Sequence, residues 1–101
     1  MQKLAFVFPG QGSQSVGMMA AYGDDAEIRA AFDEASLALG EDLWAMAADG
    51  PAERLSLTTN TQPLMLTAGV AVFRSWVKRT GRAPDVVAGH SLGEYAALVA
   101  A

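Results

Sequence analysis

The sequence predicts an α/β fold in which a parallel sheet is joined by helical crossovers. Three observations predict it. Leu4 to Phe8 and Val86 to Ala88 are short apolar runs, and the first does not alternate with polar residues, as expected of a parallel strand buried on both faces. The stretch between them is dominated by helical spacing, which suits crossovers in a parallel sheet. Finally, Gly89-His90-Ser91-Leu92-Gly93 links the second run to an Ala-rich helical run, giving strand, tight turn and helix in succession.

The composition limits what such a fold can be. The 101 residues suffice for one small domain. Hydrophobic residues make up 51%, but many are alanine, so the core volume is smaller than that fraction implies. Charged residues are only 18%, a low density that suggests a surface partly covered by further protein. Seven Lys and Arg against eleven Asp and Glu give a net charge of −4. A nucleic-acid binder needs a basic face to displace counterions, so this balance argues against that class. The absence of cysteine excludes disulfides, Cys-containing zinc sites and thiol catalysis, and it fits a cytoplasmic location. The apolar run at the N-terminus is stopped by Pro9-Gly10, too soon for a signal peptide. No stretch is long enough to cross a bilayer, so no membrane role is expected.

In order, Leu4 to Phe8 is the first strand and Gly10-Gln11-Gly12-Ser13-Gln14-Ser15-Val16-Gly17 a glycine-rich loop after it. A dinucleotide fingerprint would need glycine where Ser15 stands, and a Walker A loop would need a lysine that is absent. What remains is a loop that approaches another turn closely with N–H groups free to donate; viewed alone, it is simply a tight strand exit. Asp24-Asp25 opens a helix carrying Ile28, Ala31, Phe32, Ala35 and Leu39 at helical spacing, and Gly40 stops it. Leu43 to Ala47 is a second, shorter apolar segment whose Trp44 and Met46 serve packing. Asp49-Gly50-Pro51 restarts a helix through Leu55, with Pro51 in its first turn. Asn60-Thr61-Gln62-Pro63 opens the longest helix, with Pro63 at the first helical position and Gln62 at the N-cap. Leu64 to Phe73 is apolar on nearly every face and is expected to be buried. The basic end, Arg74, Lys78 and Arg79, reads as a solvated terminus favoured by the helix dipole, and Gly81 closes the helix. The last helix, from Leu92 to Ala101, has no glycine, basic turn or cap, as if the sequence stops inside an apolar helix.

The chemistry centres on the glycine-flanked serine. In a Gly-x-Ser-x-Gly elbow the serine stands at the tip of a strained turn, where a Cβ at either glycine would collide with the neighbouring strand or helix. Ser91 is then the candidate nucleophile, with helix N-terminal N–H groups aimed at whatever it attacks. One oxyanion donor in such an elbow is the N–H of the next residue, here Leu92. The second comes from another strand-to-helix loop, and the Gly10-Gln11-Gly12 loop is the best candidate. Serine needs a general base. The single histidine, His90, adjoins Ser91 and points elsewhere, so it is read as a packing or hydrogen-bonding residue of the elbow. Glu94 is read as a first-turn acid.

Phe8-Pro9-Gly10-Gln11-Gly12-Ser13-Gln14, Thr61-Gln62-Pro63 and Gly89-His90-Ser91-Leu92-Gly93-Glu94-Tyr95-Ala96-Ala97-Leu98, in this order and spacing, resemble the N-terminal motifs of malonyl-CoA:acyl-carrier-protein transacylases. The resemblance covers essentially the whole chain. It implies that Ser91 takes malonyl from malonyl-CoA as an acyl-enzyme. The acyl group then passes to the phosphopantetheine thiol of acyl carrier protein, in fatty acid biosynthesis. It gives the oxyanion-hole N–H groups to Gln11 and Leu92, and places Gln62 near the acyl pocket. It calls for no cofactor and no metal. Leu92 is more like the discrete fatty-acid enzymes than polyketide domains, which often carry glutamine there.

The resemblance further implies an α/β-hydrolase-like parallel sheet. Residues 1–101 would be the N-terminal portion of the large subdomain, truncated in the helix after the nucleophile elbow, with the ferredoxin-like small subdomain outside the chain. The catalytic histidine and the arginine that pairs with the malonyl carboxylate would lie there too, so the isolated chain is expected to be nearly inactive. Two alternatives stand beside this reading: a serine esterase or thioesterase sharing the elbow, and a non-catalytic fragment. The oxyanion loop counts against the hydrolase, being Gly-Gln-Gly after the first strand instead of a His-Gly-Gly type.

Overall fold

Asp25 caps the first α-helix. In the computed structural model, which describes residues 3–10, 12, 14–23, 25–90 and 93–100, its carboxylate accepts the Glu27 and Ile28 N–H groups at 3.0 and 3.2 Å. This satisfies two donors that a helix start leaves orphaned. Helix α1 (Ala26–Leu39) follows and ends at Gly40, whose left-handed φ of 72° lets its N–H return to the Ser36 carbonyl. Ile28, Ala31 and Phe32 are buried as the spacing predicts, while Leu39 is exposed. Ser36 Oγ also accepts the Leu43 N–H at 3.0 Å, tying the end of α1 to helix α2 (Leu43–Asp49), which Asp42 caps. Met46 is buried, and Trp44 meets the edge of Phe32 at 5.2 Å with the Arg29 guanidinium 4.5 Å over its ring. Packing is therefore the role of both residues.

Helix α3 (Ala52–Ser56) starts directly after Pro51, which is the residue before the helix and not part of its first turn. Helix α4 (Thr58–Thr80) does not begin at Pro63. It begins five residues earlier, and Pro63 sits inside it. Leu57 is the residue before the helix, so Gln62 is not the cap. The reason lies in Thr61. Fully buried, its hydroxyl reaches back to the Leu55 and Leu57 carbonyls, while Asn60 Nδ2 donates to the Arg54 carbonyl at 3.0 Å. These bonds fasten an extra turn onto the end of α3. A proline six residues into a helix clashes only with a carbonyl of that first turn, where the cost of interruption is least. From Leu64 to Phe73 no residue is exposed, in agreement with the apolar pattern.

The strands are β1 (Ala5–Phe8) and β2 (Val86–Gly89), paired in parallel with Ala5 opposite Val86 and Phe8 opposite Gly89. Asp85 anchors that register: its carboxylate accepts the Leu4 N–H at 2.6 Å, and its own N–H donates to the Leu4 carbonyl at 2.8 Å. The expectation that β1 is buried on both faces is corrected. Phe6 and Phe8 face α4, Phe6 with its ring 5.4 Å from Phe73 and 5.7 Å from Trp76, but Val7 on the other face is 67% exposed. Among the described residues, helices cover one face of this sheet only. Helix α5 (Gly93–Ala100) follows β2 and buries Gly93, Ala96 and Ala97, while Tyr95, Leu98 and Val99 are exposed.

The architecture is thus mixed α/β, mostly helical, with a small two-stranded parallel sheet. Two apolar clusters share α4. One joins α1, α2, α3 and α4 around Phe32, Leu43 and Leu64; the other joins β1, α4 and α5 around Phe8, Ala96 and Ala97. Among the described residues no helix is long and apolar enough to cross a membrane.

The basic end of α4 is not merely solvated. Arg74 pairs with Glu34 at 3.4 Å, Lys78 with Glu27 at 2.7 Å and Arg79 with Asp25 at 2.8 Å, all acids of α1 or its cap. Glu27 holds the Lys78 ammonium above its ordinary pKa. Pairs this exposed are screened by solvent and add little to stability. Asp25 is different, because its side chain is only 6% exposed. The Ser75 hydroxyl donates to it, and with the Ile28 N–H and Arg79 this outweighs burial and holds its carboxyl below the usual range.

Candidate active site

The turn between β2 and α5 is built on two glycines that admit no side chain. A Cβ added to Gly89 would lie 2.1 Å from the Gly93 carbonyl carbon and oxygen and 2.3 Å from the Glu94 nitrogen. One added to Gly93 would lie 2.1 Å from the Phe8 carbonyl oxygen and 2.9 Å from that of Pro9. All of these are backbone atoms, which cannot rotate aside. The crowding that the Gly-x-Ser-x-Gly spacing predicts is therefore present on both flanks of position 91. Ser91 and Leu92 themselves lie outside the described residues, as does Gln11.

The backbone around them is fixed by hydrogen bonds. The His90 N–H continues the sheet by donating to the Phe8 carbonyl at 3.1 Å, and the Gly93 N–H closes the turn onto the His90 carbonyl at 3.0 Å. His90 thus bonds through its main chain. Its side chain is exposed and makes no hydrogen bond to the described residues. Glu94 is exposed in the first turn of α5, where a carboxylate favours the helix dipole.

The glycine-rich loop leaves β1 directly beside this turn, since Phe8 and Pro9 are the residues Gly93 touches. Two of its N–H groups are not free, contrary to expectation. The Gly12 N–H donates to Gln14 Oε1 and the Gly17 N–H to the Ala47 carbonyl, each at 2.7 Å. The second bond ties the far end of the loop to α2. Gln62 is exposed near the start of α4, and beside it the buried Thr61 does the structural work. Sequence reasoning missed Thr61, because its role is a bond to the end of α3 that no local pattern records. A cleft of about 300 Å³ lies along β1 between Phe6, Met18, Met65 and Val72.

Gly89 and Gly93 are thus crowded by backbone and seated against the strand that feeds the glycine-rich loop. A family model described as an acyl transferase domain matches residues 5–101. The chain belongs to the acyl transferase domain family. Within that family it resembles the malonyl CoA-acyl carrier protein transacylase of Escherichia coli (strain K12), at 57% identity over 102 residues, covering 100% of this chain and 33% of that protein. The crystal structure of an acyl-carrier-protein S-malonyltransferase from Burkholderia pseudomallei 1710b superposes with a TM-score of 0.95 at 63% identity, covering 99% of this chain and 33% of the other. A structure of a type II PKS acyl-carrier protein in complex with its malonyl-transacylase matches with a TM-score of 0.92 at 50% identity, over 99% of this chain and 33% of that one. This acyl transferase segment therefore spans about a third of the length of the curated relatives it matches.

Proposed function

We propose that the chain contributes the nucleophile and oxyanion hole of a malonyltransferase that moves malonyl from malonyl-CoA to the phosphopantetheine thiol of acyl carrier protein, in fatty acid biosynthesis. The observation that carries this reading is the pair of glycines crowded against backbone on both sides of Ser91, in a chain of the acyl transferase family. The names of its relatives supply the acyl group and the acceptor.

In this reading Ser91 Oγ attacks the thioester carbonyl and loses its proton to a general base. The carbonyl oxygen becomes an oxyanion held by the Gln11 and Leu92 N–H groups, the C–S bond breaks, and coenzyme A leaves as its thiol. The carrier thiol then attacks the Ser91 ester, and the serine regains its proton. Losing one oxyanion donor typically slows such a reaction by about a hundredfold or more. His90 is not the base, because it adjoins Ser91 and its main chain is committed to the turn. The base, and the cation for the malonyl carboxylate, come from outside these 101 residues. Gln62 is assigned to the edge of the acyl pocket, for which its exposure near the start of α4 leaves room.

Residues 1–101 are accordingly the N-terminal portion of an α/β-hydrolase-like large subdomain, to which a ferredoxin-like subdomain is added elsewhere in the polypeptide. The parallel strands and the strand-turn-helix around Ser91 support this. A cytoplasmic location belongs to the same reading. The test is to incubate a polypeptide extending this chain to its relatives' length with malonyl-CoA and to look for malonyl mass on the Ser91 peptide. Label on that peptide and its loss in Ser91→Ala are expected. An unlabelled serine, with full turnover in Ser91→Ala, would end the proposal.

A further inference from the structure

Gly69 stands in the middle of α4, where glycine is a poorer helix former than alanine. Its place there is explained by what it touches. A Cβ on Gly69 would lie 3.1 Å from Phe8 Cδ1 and 3.2 Å from the Ala96 Cβ, tighter than ordinary contact in both directions. Phe8 and Ala96 are each 2% exposed, so neither has free space to retreat into.

Both contacts lead to the serine turn, from opposite sides. Phe8 holds the residue before Ser91 through its carbonyl, which accepts the His90 N–H at 3.1 Å. The same carbonyl is the surface on which Gly93 rests. Ala96 lies one turn further along α5 from Gly93, so its position sets the depth of that helix against α4. The bare Cα of Gly69 thus fixes how closely α4 approaches β1 and α5 together.

We propose that Gly69 is a positioning residue for the Ser91 nucleophile, acting through Phe8 and Ala96. The inference rests on the reading of Ser91 given above. An added methyl must displace the Phe8 ring or α5 by a few tenths of an ångström, and since a misplacement of about 1 Å costs about a hundredfold, a shift of several tenths is expected to cost up to about tenfold.

The experiment is single-turnover acylation of Ser91 by malonyl-CoA, in a polypeptide extending this chain to its relatives' length and at a temperature where each variant is folded. Gly69→Ala is expected to slow acylation about tenfold while leaving the saturating concentration of malonyl-CoA unchanged. Adding Ala96→Gly, which removes the atom 3.2 Å from the new methyl, is expected to restore most of the rate. A purely structural role would lower the melting temperature and leave the rate of the folded protein alone. Folded Gly69→Ala with the wild-type rate overturns the inference. Should Gly69→Ala not fold, Phe8→Leu, which takes the ring edge off Gly69 and keeps the carbonyl, carries the same two outcomes. Turnover that survives Ser91→Ala would overturn the reading on which the inference rests, whereas its loss beside a normal Gly69→Ala would refute the positioning role alone.

Discussion

Replacing Gly93 by alanine places one methyl group at the tightest point of the serine turn. That methyl would sit 2.1 Å from the Phe8 carbonyl oxygen, 2.8 Å from its carbon and 2.9 Å from the Pro9 oxygen. Ordinary contact starts at 3.4 Å, so α5 and β1 must separate by about 1.3 Å. The Phe8 carbonyl that the methyl would press on also accepts the His90 N–H at 3.1 Å, so displacing it puts that bond at stake. Its loss costs about 1 kcal/mol, and forcing the overlap costs about 1–3 kcal/mol more. Alanine returns at most about 1 kcal/mol through its better helix propensity. The overlap therefore wins, by about 1–3 kcal/mol once that return is counted. Urea denaturation of wild type and Gly93→Ala reads this directly. In a domain of this size the melting temperature is expected to fall by about 5–20 °C. On the function proposed above, labelling of Ser91 by malonyl-CoA in a polypeptide extending this chain to its relatives' length should fall much further than the folded fraction does, because the supports on both sides of position 91 move apart. A Gly93→Ala protein with unchanged stability and labelling would refute the argument from crowding.

Two other changes probe the supports of the site. Thr61→Val keeps the shape of the buried side chain but strips the Leu55 carbonyl of its hydroxyl partner. It should cost about 1–3 kcal/mol in denaturant unfolding, and Thr61→Ser, which keeps the hydroxyl, should cost clearly less. Asp25 has a folded-state pKa below its ordinary 3.8, so its ionised form is bound more favourably in the folded protein. Its contribution is complete above about pH 4 and is lost as pH falls through the depressed value. Asp25→Asn should be less stable than wild type at neutral pH, and the two acid-unfolding curves should converge at the lowest pH.

The parts of the fold that were legible in the sequence are those set by local rules. Asp25 and Gly40 bracket α1 because a cap and a left-handed stop each act within one turn. The parallel pairing of two distant apolar runs, and the crowding at Gly89 and Gly93, followed from a motif whose geometry is fixed by backbone contacts. The start of α4 was not legible, because the proline rule for first turns competes with a tertiary bond, from Thr61 to the end of α3, that no local pattern records. The half-open sheet was missed for a related reason: an unbroken apolar run shows that a strand is suited to burial and does not show what covers it. The ion pairs between α4 and α1 depend on how two helices separated by some forty residues come to lie side by side. The role of Gly69 is likewise invisible in a row of apolar letters, because it arises where three elements meet.

The pairing of β1 with β2 also dictates an order of events. The bond from Leu4 to Asp85 closes a separation of 81 residues, and all four of the earlier helices lie within that span. Contacts so remote in sequence carry the loop-closure entropy of everything between them, so they form late unless the intervening segments have already compacted. During synthesis β1 precedes α4 and β2, so Phe6 and Phe8 are expected to lack these partners until both have left the ribosome. The serine turn comes last of all, because its hydrogen bond to Phe8 needs both strands in register. The turn that joins β2 to α5 is therefore expected to assemble only after the body it packs against.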